Sequence, residues 1–186
     1  VAVLLAGGGT IAYLIASPRD QHHGPPVTVE SVRTVGIVAR SPAGGSGATL
    51  LRYSAGGGLV FGPMPSLSVP QGDPQWTADT MTGGTLVFIY APAGQCLASA
   101  RRRHTVVLAL RRCDLGTEQR WQRVGGSTGT DGHSYAQYRN VRSGRCLTAA
   151  AAPDDTANAA AGSPALLSRC APAPPPSQLI SFWWAA

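Results

Sequence analysis

The sequence contains no lysine. All 15 of its basic residues are arginine, set against 9 acidic residues for a formal net charge of +6. Charged residues make up only 13% of the chain and aromatics 6%, which excludes a coiled coil or a charged helical bundle. No Cys-x-x-Cys or close Cys/His pair offers the spacing of a zinc site. The glycine runs follow neither a P-loop nor a dinucleotide spacing. The acidic residues are scattered rather than paired, and His104 and His133 have no partner in sequence, so no nucleophile–base or two-carboxylate arrangement emerges. The chain therefore reads as a non-enzyme with no cofactor and no metal.

What is present points to strands and turns. Gly 23 and Pro 15 together fill about a fifth of the 186 residues, and the hydrophobic fraction of 44% is enough for a packed core. The arginine bias, beside the abundance of Ala, Gly and Pro, fits GC-rich codon usage of the kind found in high-GC bacteria. Arginines without interleaved aromatics are not a nucleic-acid footprint, and no nucleic-acid partner is expected. The one dense basic run is Arg101-Arg102-Arg103-His104, with Arg111-Arg112 following.

Residues 1–16 carry no charge. Their length lies between a signal-peptide apolar region and a full membrane span, so they are expected to form an apolar helix, either a membrane anchor or a signal-like segment. Residues 17–33, with Pro18, Pro25 and Pro26, read as a linker. Residues 34–186 then form one domain, outside the cytoplasm on a membrane-anchored chain or secreted.

The four cysteines support that compartment. Gly94-Gln95-Cys96-Leu97 leads to Cys113, and Gly144-Arg145-Cys146-Leu147 leads to Cys170. An even number of well-separated cysteines beyond an apolar leader suits two disulfides. Of the three possible pairings, the repetition of the two phrases selects Cys96–Cys113 and Cys146–Cys170. Around each phrase lie four short apolar segments separated by Gly, Pro or polar turns, as strands would be. The first unit ends in Gln119-Arg120-Trp121; the second ends near Gln178, with Ile180 or Trp183 in the tryptophan's place.

These repeats resemble the ricin-B-type β-trefoil, whose units read Gly-x-Cys-Leu, then Cys, then Gln-x-Trp. The resemblance covers about residues 84–186 and implies an all-β β-trefoil. Trp76, Gln119, Trp121, Gln178 and Trp183 would be its core motif, and the upstream unit would be degenerate. In that unit Trp76 would stand for Trp121, and Gly58-Leu59 for the Cys-Leu pair. The resemblance also implies carbohydrate binding through an Asp after each Cys-Leu, where this sequence has Ala98, Thr148 and, upstream, Val60. An ordinary galactose site is therefore not expected. Two functions follow: a carbohydrate- or cell-envelope-binding module, taking a glycan or an anionic polymer through Arg101, Arg102, Arg103 and Arg111, or a trefoil serving as a protein-interaction or sensor domain.

Overall fold

Alternating apolar residues and frequent turn formers predict short half-buried strands, and twelve occur among the described residues. The structure is a computed structural model that describes residues 29–40, 49–54, 58–63, 76–129, 132–150 and 163–184. The expectations for residues 1–16 and for the linker up to residue 28 lie outside these, as does the side chain of Trp183. Among the described residues no helix is long and apolar enough to cross a membrane; the helical elements are two single 3-10 turns, Ala91–Ala93 and Pro176–Gln178.

The strands fall into three sets of four. The first comprises β1 (Val29–Ala39), β2 (Thr49–Tyr53), β3 (Leu59–Pro63) and β4 (Trp76–Met81). The second comprises β5 (Thr85–Tyr90), β6 (Gln95–Arg102), β7 (Thr105–Arg112) and β8 (Arg120–Thr128). The third comprises β9 (Ser134–Asn140), β10 (Arg145–Ala149), β11 (Ser163–Arg169) and β12 (Ile180–Trp184). Because β1 begins at Val29 and is already paired with β4 there, residues 29–33 belong to the sheet rather than to the linker.

The first and last strands of each set close a six-stranded antiparallel barrel in the order β1–β4–β5–β8–β9–β12 and back to β1. The middle strands form three hairpins, β2–β3, β6–β7 and β10–β11. Each hairpin is attached to its barrel strand by a matching pair: Val38↔Leu50, Ile89↔Cys96 and Arg139↔Cys146. The result is an all-β, trefoil-like arrangement with approximate threefold repetition. Gly94 and Gly144 precede two of the hairpins at φ +59° and +67°, a left-handed turn in which glycine carries no Cβ penalty.

That repetition is written in the core. Ile37, Phe88 and Tyr138 occupy equivalent positions two residues before each barrel strand ends, and all three are buried. Phe88 meets the Tyr138 ring edge-on at 5.8 Å and the Phe182 ring at 5.4 Å, in the offset geometry that aromatic quadrupoles prefer. Burial pushes the Tyr138 phenol up to about 12, against the opposing pull of Arg123. Leu51, Leu97 and Leu147 form a second layer beneath the hairpins.

Trp76 and Trp121 form a third layer, both fully buried. Their indole N–H groups donate to Leu51 O at 2.9 Å and Leu97 O at 3.1 Å, so the upstream tryptophan holds the expected place. Ile180 fills the third position: Trp76↔Tyr90, Trp121↔Asn140 and Ile180↔Ala39 are equivalent pairs. The core position assigned to Trp183 thus belongs to Ile180, because Gln178 fixes the register two residues before it. The upstream Cys-Leu place is likewise corrected. It is Leu50-Leu51 on β2, not Gly58-Leu59, since Leu50 pairs with the barrel strand as Cys96 and Cys146 do.

Candidate functional site

Two disulfides hold the second and third hairpins: Cys96–Cys113 with a Cα separation of 5.1 Å, and Cys146–Cys170 with 5.0 Å. These are the expected pairings, and the described residues contain no free cysteine. Just beyond each second cysteine, a buried glutamine fastens the returning chain. The Oε1 of Gln119 accepts from the N–H groups of Asp114 and Leu115, both at 3.0 Å, while its Nε2 donates to Arg112 O at 2.7 Å. Gln178 repeats this, accepting from Ala171 N–H at 3.0 Å and donating to Arg169 O at 2.8 Å. The two glutamines are thus occupied within the fold, and their side chains are 2% and 4% exposed.

The three positions after the Cys-Leu places offer no carboxylate. In the upstream unit the residue is Arg52 rather than Val60, its partner across the hairpin. Ala98 is fully buried. Thr148 is buried too, its hydroxyl 2.7 Å from Ser168 Oγ and donating to Cys146 O at 3.1 Å. A hydroxyl engaged in this way has little left for a ligand. Arg52 differs, since its Nε is buried with no hydrogen-bond partner among the described residues.

The arginine run occupies the tip of the β6–β7 hairpin. Arg102 pairs with Thr105 across a two-residue turn, and Thr105 Oγ1 donates to Arg102 O at 2.9 Å. Arg103 sits in that turn at φ +52°, a backbone region in which a Cβ is strained. Arg101, Arg102 and Arg103 are exposed, and Arg102, Arg103, His104 and Thr105 line an open depression of about 580 Å³. The salt bridge among the described residues, Arg142–Glu118 at 3.7 Å, involves none of them. Arg111 does not join this tip. It pairs with Cys96 at the hairpin base while Arg101 pairs with Val106, five residues along the strand and about 16 Å away by strand rise.

The sequence motifs do not point to a second surface, which is aromatic. Tyr53, at the end of β2, is 45% exposed. Its ring lies 6.0 Å from that of Tyr90, which in turn lies 5.3 Å from the buried Trp76. The available signal was that both tyrosines end apolar runs, TLLRY and TLVFIY, but only the folded barrel brings β2 and β5 together. Among the described residues no cluster of three or more His, Cys, Asp or Glu could hold a metal ion.

No family model and no curated protein sequence matches the chain. Solved structures do. One is a designed 3-fold symmetric protein, ThreeFoil, at 17% identity and a TM-score of 0.55, covering 80% of this chain and 96% of that one. Another is the Haemophilus ducreyi cytolethal distending toxin, at 20% identity and a TM-score of 0.52, covering 80% and 82%. At these identities the likeness concerns the fold alone: this chain shares a trefoil-like, all-β architecture with both.

Proposed function

We propose that the chain is an extracytoplasmic, non-catalytic binding module that engages an anionic polymer of the cell envelope. The observation that carries this reading is the hairpin tip. Arg101 and Arg102 end β6 and Arg103 opens the pinned two-residue turn, all three exposed, and no carboxylate among the described residues neutralises them. Arginine is suited to phosphate and carboxylate groups because its planar fork donates two parallel hydrogen bonds. Two disulfides support a location outside the cytoplasm, and the apolar residues 1–16 would tether the domain or direct its export. One observation favours the alternative of a protein-interaction or sensor domain: buried Ala98 and engaged Thr148 leave two of the three repeats without a sugar acceptor.

Calorimetry with a purified anionic cell-wall polymer at low and high salt tests the proposal. Binding should weaken steeply with salt, and replacing Arg101, Arg102 and Arg103 by Ser should abolish it while leaving folding intact, since exposed positions usually contribute within about 0.5 kcal/mol. Lactose should not bind. Salt-independent binding, or full affinity in the triple variant, would overturn the tip assignment.

A further inference from the structure

Tyr53 and Tyr90 form a ring platform that the repetition of the fold does not require. Equivalent to Tyr53 are Ser99 and Ala149, and equivalent to Tyr90 are Asn140 and Ala39, by the pairings that relate the three hairpins. The platform is rigid from below. Trp76 is fully buried beneath Tyr90 and anchored through its indole N–H to Leu51 O. Tyr53 is exposed, whereas Tyr90 is half-buried against the core.

Polar groups continue from the platform in register. Trp76 pairs with Tyr90, Tyr90 with Gln95, and Gln95 with Arg112, so these four residues form one row across β4, β5, β6 and β7. Directly opposed residues of antiparallel strands project to the same face. Exposed Arg112 therefore lies two strand spacings from Tyr90, about 10 Å, with half-buried Gln95 between them. Its backbone is fixed, because Gln119 Nε2 donates to Arg112 O at 2.7 Å.

We propose that Tyr53, Tyr90, Gln95 and Arg112 form a binding subsite for an acidic oligosaccharide. The apolar face of one pyranose ring stacks on the tyrosines. Gln95 and the phenol hydroxyls bond its hydroxyl groups, and Arg112 takes the carboxylate of the neighbouring sugar. A ring platform answers the CH-bearing face of a sugar, and a guanidinium fork answers a carboxylate in two parallel bonds. The row matches the length of a disaccharide. Four side chains cover far less than the roughly 800 Å² per partner that a stable protein interface buries, which favours a small, extended ligand over a docked protein. The inference rests on the reading of the chain as a binder of an anionic envelope polymer and names that polymer as an acidic polysaccharide.

Calorimetry of the full chain with tetragalacturonate, its methyl ester and inorganic polyphosphate tests the subsite. Tyr53→Ala should weaken tetragalacturonate binding about tenfold, as the loss of one stacked ring predicts, with the unfolding temperature unchanged. Arg112→Gln should erase the preference for the acid over the ester while leaving ester binding as it was. Polyphosphate binding should not respond to Tyr53→Ala. Undiminished affinity in Tyr53→Ala, failure of the native chain to bind either sugar, or an effect of Tyr53→Ala confined to self-association in sedimentation would each overturn the subsite. The Arg101/Arg102/Arg103→Ser variant separates the two proposals. If it loses the long polymer while Tyr53→Ala changes nothing, the tip stands and the subsite falls. If Tyr53→Ala removes tetragalacturonate binding while the triple variant keeps the polymer, the subsite stands and the tip falls.

Discussion

Asp79 is a carboxylate out of place. It lies on β4 with 8% of its surface exposed, and its Oδ1 has no hydrogen-bond partner among the described residues. Burial raises its pKa above 3.8, partly opposed by a hydrogen bond from Thr77. A folded-state value above the unfolded one means that the native chain holds its proton longer. Stability from this group is then greatest below about pH 3.8 and is lost as pH rises through the folded-state value. Asp79→Asn should therefore stabilise the protein at neutral pH, with the gain disappearing in acid. Urea unfolding of both forms from pH 3 to 8 measures it; a gain that persisted in acid would refute the titration account. Arg103 is strained in a different manner. At φ +52° it occupies backbone space that glycine fills freely, and Arg103→Gly should raise stability by about 1 kcal/mol, read as a higher urea midpoint at constant slope. On the proposed reading of the tip, the same change should also weaken polymer binding.

Among the elements, the hairpins differ in what fastens them. The second and third carry a disulfide and a glutamine, and the first has Leu50 where the others have cysteine. Loop-closure entropy assigns about 3 kcal/mol to each crosslink. Replacing Cys146 and Cys170 together by Ala should lower unfolding stability by about that amount, measured by urea titration. A loss below about 1 kcal/mol would show that the Gln178 bonds hold this hairpin unaided. The difference between hairpins also explains which parts of the fold were legible. Cysteine spacing and Gln119-Arg120-Trp121 are local signals, and they marked the second and third units with their pairings. The upstream unit keeps only its apolar residues, which any strand register can accommodate, so nothing local separates Leu50-Leu51 from Gly58-Leu59. Trp183 and Ile180 were separable only through the bonds of Gln178 to Arg169 and Ala171. Adjacency in sequence groups Arg101–Arg103 at one hairpin tip, whereas the distance of Arg111 from that tip is a matter of strand register. The row from Tyr90 to Arg112 crosses three strands and has no local signature.

At the scale of the molecule, barrel closure gives every barrel strand two partners, which removes the open edges along which sheets aggregate. The seam of that barrel is the pairing of β1 with β12, where Ala39 meets Ile180, residues 141 positions apart (180 − 39). During synthesis the first strand therefore exists long before the last one that must cover it. The second hairpin can form from neighbouring residues and be locked by its own cystine, whereas β1 keeps one edge bare until β12 arrives. Contacts this distant in sequence are slow to form, and the unit without a cystine is the one made to wait. β1 is thus among the last strands to gain all their partners, and the interval before β12 appears is when a protease or a second unfinished chain would find the barrel most vulnerable.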